Sequence, residues 1–462
     1  MGPLDFRGLI IKMDSKAPIR HPIPWKDPSF YDEEDLDQEM RRVFDICHGC
    51  RRCFNLCDSF PRLFDLVDQS SSEELDTVDS QDFKSVVDAC TLCDLCFMAK
   101  CPYVPPHEFN IDFPHLMLRY RAVEAKKGAL SWRQKELTNV ERNDRLLSYA
   151  PKLANWVMDE ENKVMRPFLE KTMRIDRRAE LPKYEAETLI SWGKKELPPV
   201  NQGAPALGRK AVLYATCFGN YHNTRIGKAT AQVLSHNGVS LEIVYPGCCG
   251  MPKLEQGDLD QVSKQAVRIA RDLRSWVDKG YAIVTLVPSC ALMLKSEWPL
   301  LLPENEDIQV VSESTFDISQ YVIDISQKEG LVPGLKSINE SVFLHVACHA
   351  RAQNIGNKAH EMLKLIPVSN SDENFLTVME RCSGHGGSWG VMKDNFEIAL
   401  KVGKPVIQKA IQSKASIVAS ECPLAVTHIK QGMDFLSSSK EGESPFSRHP
   451  IEILAQAYGL NP

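Results

Sequence analysis

The chain has 462 residues, 43% hydrophobic and 25% charged, a balance that suits a soluble globular protein of two or three domains. Its net charge of -6 gives no general attraction to nucleic acid, and apolar runs such as residues 282–287 fall far short of the roughly 18 residues that span a bilayer. Nucleic-acid binding and a transmembrane segment are therefore not expected, and any membrane association would go through a partner.

The first 35 residues hold five prolines and no clear period, which predicts an extended N-terminal arm over residues 1–35. A helix is expected from Glu33 into Cys47, with Asp32 as its cap and Leu36, Met40, Val43 and Phe44 at helical spacing. Cys47, Cys50, Cys53 and Cys57 then form C-x2-C-x2-C-x3-C. After an acidic stretch (Asp65, Asp68, Glu73, Glu74, Asp76, Asp79, Asp82), Cys90, Cys93, Cys96 and Cys101 form C-x2-C-x2-C-x4-C, followed by Pro102. This is the spacing by which bacterial-type ferredoxins hold 4Fe-4S clusters. Cysteines two residues apart reach adjacent corners of one cubane from a tight loop, and the fourth reaches out of it. In two-cluster ferredoxins the fourth cysteine crosses over, so Cys47, Cys50 and Cys53 are expected with Cys101, and Cys90, Cys93 and Cys96 with Cys57. Structural zinc would need two pairs and leaves the third cysteine of each run surplus. A disulfide framework suits small secreted chains, whereas this long chain shows no apolar signal stretch and its thiols read as cytoplasmic. The 32 residues between Cys57 and Cys90 exceed what a compact ferredoxin needs and predict an α-helical variant over residues 36–109.

Residues 110–208 read as a helical linker region. Residues 117–145 hold eight Lys or Arg against four Asp or Glu. Leu146, Ala150, Leu153, Ala154 and Val157 are expected on one helical face, with prolines at 167, 182, 198, 199 and 205 breaking up the remainder of the region. Beyond 208 the pattern becomes apolar strand alternating with amphipathic helix, the mark of a parallel sheet. Strands over 211–215, 241–245 and 281–287 lead to Cys217, to Cys248-Cys249-Gly250 and to Cys290. The order recurs with strands at 342–347, 375–379 and 417–419 leading to Cys348, Cys382 and Cys422, and matching cysteines are 131, 134 and 132 residues apart. That constancy predicts an internal duplication, with modules over residues 209–335 and 336–462. The fold class expected is therefore α+β multidomain: an N-terminal α-helical two-cluster ferredoxin domain, then two duplicated α/β modules with parallel sheets.

Each of these seven cysteines sits past the carboxyl end of a strand and before a helix, where ligands of parallel α/β sheets bind and helix N-termini favour anions. Gly250, Gly384, Gly386 and Gly387 would let backbone approach a metal closely.

The run from Cys217 through Cys248-Cys249-Gly250 to Ser289-Cys290 resembles the CCG domain of heterodisulfide reductase catalytic subunits. Joined to two ferredoxin motifs, it is similar to the C subunit of anaerobic glycerol-3-phosphate dehydrogenase and the glycolate oxidase iron-sulfur subunit. The resemblance covers nearly the whole chain after residue 35. It implies up to five cysteines per module; here Met293 replaces the fifth of the first, and Ser383 and Ala425 replace two of the second. Four thiolates at Cys217, Cys248, Cys249 and Cys290 can hold an additional iron-sulfur cluster. Three at Cys348, Cys382 and Cys422 leave one position open in a possible second metal or cluster site, for His385 or Ser383 to fill or for substrate.

His48 in the first cluster loop is read as tuning solvent access, and His222 and His349 as packed or hydrogen-bonded residues. Arg51 and Arg52, beside the first cluster, are read chiefly as solvated. The function expected is an iron-sulfur electron-transfer subunit relaying electrons between a flavoprotein dehydrogenase and a quinone or a protein acceptor such as a di-iron peroxide-reducing protein. No G-x-G-x-x-G is present, so flavin or nicotinamide would belong to another subunit. The alternatives are a thiol-disulfide oxidoreductase acting at the first CCG cluster, and a structural platform with redox-inert CCG modules.

Overall fold

The computed structural model describes residues 18–368, 375–436 and 445–460; the first 17 residues of the expected arm lie outside them. Asp32 accepts from the backbone N–H of Asp35 and starts the helix Glu33–Cys50, whose buried stripe is Leu36, Met40, Val43 and Phe44. Arg51, at a left-handed φ of 52°, ends it and turns the chain into the first cluster loop. Helices Ser59–Asp68 and Phe83–Ala89 come next, and Phe44, Phe60, Phe83 and Phe113 pack their rings together between the two motifs. The second motif closes on a π-helical turn, Cys96–Lys100.

Residues 18–26 have no regular structure but are firmly tied. The Arg20 guanidinium donates to Asp94 in the second cluster loop and to Asp112, each at 2.8 Å, and lies 4.5 Å from the Phe97 ring centre. Ile23 N–H and the Trp25 indole donate to the carbonyls of Leu300 and Leu301 at 2.8 Å. The arm thus fastens the helical N-terminal part to the sheet-bearing part.

The linker is helical but departs from the expected single face. Pro151 has no N–H to continue a helix, so the chain breaks into Val140–Leu147 and Pro151–Met158. Ala154 is buried, while Leu146 and Leu153 are exposed.

Two four-stranded, wholly parallel sheets complete the chain. The first contains β1 (Lys210–Tyr214), β2 (Ser240–Val244), β3 (Ala282–Thr285) and β4 (Thr315–Asp317), in spatial order β2-β1-β3-β4. The second contains β5 (Val342–His345), β6 (Leu376–Met379), β7 (Ile417–Ser420) and β8 (Phe446–Arg448), in order β6-β5-β7-β8. The same order twice matches the duplicated modules. In each, the three cysteine-bearing strands are adjacent, so their carboxyl ends open at one edge. Residues of β1, β3, β5 and β7 are largely inaccessible because helices cover both faces.

Candidate iron-sulfur and cysteine-rich site

All fifteen cysteines are free thiols, and they gather in four neighbouring groups. In the first, burial and then the thiols of Cys101, Cys53 and Cys50 push the Cys47 thiol up. Burial, Cys101 and Cys50 raise Cys53 to about 11. Cys101, from the second motif, thus stands with the first three cysteines. In the second group, burial and then Cys93, Cys90 and Cys57 raise Cys96, and burial and then Cys90 raise Cys57. Cys57 thus stands with the second motif. The π-turn accounts for the first exchange: the Cys101 N–H donates to the Cys96 carbonyl at 2.8 Å, and the chain continues outward to Cys101.

The second module brings Cys348, Cys382 and Cys422 together: burial, Cys382 and Cys422 raise the Cys348 thiol. This trio adjoins the second motif. Burial, Cys348, Cys382 and Cys57 raise Cys93, and Cys382 is also among the groups acting on Cys57. On its other side, Cys422, raised chiefly by burial to about 11, is within Coulombic reach of Cys290. His385 lies in the loop after Cys382. Burial holds its ring neutral, with a pKa near 3, and its Nε2 has no hydrogen-bond partner; its ring centre lies 6.0 Å from that of His428. Gly384 and Gly387 both adopt positive φ here, and a Cβ at Gly384 would fall 2.0 Å from the Ala399 carbonyl oxygen.

In the first module, Cys217, Cys248, Cys249 and Cys290 act on one another in succession, and the neighbouring thiols of Cys217 and Cys249 draw the Cys248 thiol well below its ordinary value. The residues around them were not legible as a site. Tyr245 brings its hydroxyl to 3.2 Å from Cys217 Sγ and donates to it once the sulfur is a thiolate. The Trp298 indole donates to the Cys249 carbonyl at 3.0 Å, and Cys248 N–H donates to Glu141 Oε2 at 3.2 Å. Thr216, directly before Cys217, has φ 58° and ψ 165°, backbone space that glycine alone occupies freely; its hydroxyl accepts from Gly219 N–H at 3.1 Å. Met293 and Ala425, where further cysteines would stand, are buried apolar residues.

His349 bridges the units: one ring nitrogen lies 2.8 Å from Ser289 Oγ, the other 3.3 Å from the Leu92 carbonyl in the second cluster loop. Glu421, beside Cys422, is raised by burial to about 8 and accepts from the Ala347 N–H at 3.2 Å. His349 is hydrogen-bonded as expected, but its partners, like the burial of Glu421, carried no sequence signal because they depend on packing between distant segments. His48 pairs with Asp68 at 3.1 Å, and Arg51 joins the same carboxylate.

The donor set fits iron-sulfur ligation. Burial and mutual repulsion oppose ionising thiols such as Cys47, Cys57, Cys93 and Cys348, and a cationic iron core would relieve both. Among the described residues no three Cys, His, Asp or Glu close on a single metal ion. A cubane, each iron of which meets a different thiolate, takes a wider set of ligands than one tetrahedral ion.

Comparison with known proteins finds the same duplication. The cysteine-rich domain called CCG matches residues 211–295 and again 342–430, one copy for each sheet. The chain is 27% identical over 298 residues to the C subunit of anaerobic glycerol-3-phosphate dehydrogenase of Escherichia coli K12, covering 64% of this chain and 70% of that protein. It is 26% identical over 257 residues to the D subunit of the dihydromethanophenazine:CoB–CoM heterodisulfide reductase of Methanosarcina barkeri, covering 54% of this chain and 59% of that one. Lactate utilization protein A of Bacillus cytotoxicus is 27% identical over 187 residues, 39% of this chain and 74% of that protein. With one copy on each of two like sheets, the chain carries two cysteine-rich CCG domains and is similar to subunits of dehydrogenases and reductases.

Proposed function

We propose that this chain is the iron-sulfur electron-transfer subunit of an oxidoreductase. Two 4Fe-4S clusters would be held by Cys47, Cys50, Cys53 and Cys101 and by Cys90, Cys93, Cys96 and Cys57, a third by Cys217, Cys248, Cys249 and Cys290. Cys348, Cys382 and Cys422, with His385 as candidate fourth ligand, would hold a fourth metal or cluster. The observation that carries this reading is the succession of thiols, from Cys101 through Cys53 and Cys96 past Cys57 and Cys93 to Cys348 and Cys382, and from Cys422 to Cys290. It makes the second module the connection between the ferredoxin-type groups and the first module.

On this reading residues 36–109 form the ferredoxin domain behind an arm of 1–35, 110–208 the helical linker, and 209–335 and 336–462 the two modules. The donor is a flavoprotein dehydrogenase and the acceptor a quinone or a redox protein; the relatives named as subunits of dehydrogenases and reductases favour such partners. Fifteen free thiols suit a reducing, cytoplasmic compartment. Among the described residues no helix is long and apolar enough to cross a membrane.

Iron quantification and EPR of anaerobically purified protein test the proposal. Twelve or more irons per chain, at about four per cubane, support the relay; about eight support a platform with inert modules. Cys249→Ala should remove one cluster signal and stop delivery to the acceptor while the ferredoxin signals persist. A variant with unchanged iron and unchanged transfer would overturn the relay. A second reading, thiol-disulfide chemistry at the first module, is favoured by a cleft of about 200 Å³ lined by Cys248, Gly250 and Lys253.

A further inference from the structure

The linker helix Val140–Leu147 sends two carboxylates toward the first module: Glu141 to the backbone of Cys248, and Asp144, one turn on, into a buried pocket beside Cys217. Asp144 Oδ1 accepts from the Tyr184 hydroxyl at 2.9 Å and lies 3.2 Å from His222 Nε2. The other ring nitrogen of His222 lies 3.2 Å from the Lys183 carbonyl, which can only accept. His222 Nδ1 therefore carries a hydrogen, and the pair must hold one more between Nε2 and Oδ1: an imidazolium with a carboxylate, or an imidazole with a carboxylic acid. Asp144 Oδ2 is buried with no hydrogen-bond partner, a free acceptor position for a further proton. Surrounding titratable groups are Tyr184, Tyr221 and the Cys217 thiol, with Tyr245 beyond Cys217. Glu141 and Arg145 lie on the same helix, and Lys183 and Glu185 flank Tyr184.

Tyr221 and Tyr245, their rings edge to face at 5.6 Å, line a cavity of about 890 Å³. Tyr149 and Trp276 add to its aromatic wall, and its charged lining is mixed, with Arg145 and Asp272 beside Lys195, which is paired with Glu187 at 2.7 Å. Tyr221 connects the two features, since it is within Coulombic reach of Asp144 and borders the cavity.

We propose that the first module is a proton-coupled exit site: Asp144 and His222 take up the proton that accompanies each electron, for a small hydrogen-accepting oxidant, quinone or disulfide, bound in the Tyr221–Tyr245 cavity. The inference rests on the relay function proposed for this chain. The balance is A + 2 electrons + 2 protons giving AH2. The electrons come one at a time from the reduced flavoprotein through the thiol-lined sites, and the protons from solvent by way of the pair. A negative charge arriving near Cys217 in a buried setting raises the proton affinity of a carboxylate within Coulombic reach, and Oδ2 is where that proton binds.

The test uses full-length protein with its clusters in place, titrated by EPR-monitored potentiometry between about pH 6 and pH 8, where histidine-linked proton exchange is read. The signal lost in Cys249→Ala should fall in potential by about 59 mV per pH unit, one proton per electron, while the ferredoxin signals stay flatter. Asp144→Asn keeps the acceptor for Tyr184 but cannot gain the proton, and should flatten the slope, as should the less buried His222→Gln. If Asp144→Asn does not fold, His222→Gln decides. A flat slope in the parent protein, or an unchanged slope in the variants, overturns the inference. Absence of any signal dependent on Cys249 instead overturns the relay reading itself and the inference with it. Offered a water-soluble quinone and, separately, a small disulfide, the parent should reduce one of them, and Asp144→Asn should slow that reaction about a hundredfold. Reduction of neither would overturn the acceptor assignment.

Discussion

Replacing Arg20 by Met should loosen the second cluster loop. The guanidinium is buried among Asp94, Asp112 and Glu297, with two bonds to Asp94 at 2.8 Å and bonds to Asp112 at 2.8 and 3.0 Å. Burial alone would raise the Asp112 carboxyl, yet His115 and Arg20 together pull it down from 3.8 to about 2. At 1.36 kcal/mol per pKa unit, that shift corresponds to roughly 2 kcal/mol of native-state interaction at neutral pH. It is fully present above pH 4 and lost as pH falls toward 2. Removing one partner of a buried charge cluster costs about 3–5 kcal/mol, because Asp94 is left buried without its cation while Asp112 and Glu297 keep only His115. Cluster loss is irreversible, so the readout is a rate: bleaching of iron-sulfur absorbance in a fixed urea concentration. If the contacts are broken before the transition state, a loss of about 3 kcal/mol accelerates bleaching by about two orders of magnitude. Arg20→Lys, a point charge without the planar fork, should fall between parent and Met variant. An acceleration of less than about twofold in Arg20→Met would refute the argument that this arm holds the loop.

Neighbouring sites carry further expected outcomes. Cys57→Ser should damage the cluster whose other ligands are Cys90, Cys93 and Cys96, seen as lost iron and an altered EPR signal; damage confined to the Cys47, Cys50, Cys53 set would refute the crossed arrangement. Burial pushes the Lys295 ammonium from 10.5 down to about 8, so the native state holds fewer protons than the unfolded chain between those values. Stability should therefore rise with pH across that window, by roughly 3 kcal/mol, and Lys295→Met should remove this rise in urea unfolding rates; an identical pH profile in both proteins would refute it.

The central strands were legible because each is a short apolar run ended by cysteine, and parallel strands covered on both faces read that way. β4 and β8, three residues each at sheet edges, left no such run. The linker misled for a different reason: Leu146 and Leu153 sit at helical spacing, but Pro151 stops the first helix and turns the next. Spacing relates cysteines within a motif, whereas the position of Cys348 and Cys382 beside Cys93 depends on how separate units dock. Arg20 is bound to partners 74, 92 and 277 residues away, a distance no local pattern spans. His222 was visible as a residue, but its role depends on Asp144 arriving from the linker.

The turn at Thr216 sets where Cys217 stands. A β-branched residue at φ 58° and ψ 165° holds about 1–3 kcal/mol of backbone strain. That strain is opposed locally by the Thr216–Gly219 hydrogen bond and the strand pairing behind it. The direction in which Cys217 leaves the sheet is therefore imposed by the fold, through a backbone conformation that Thr216→Gly would reach without strain.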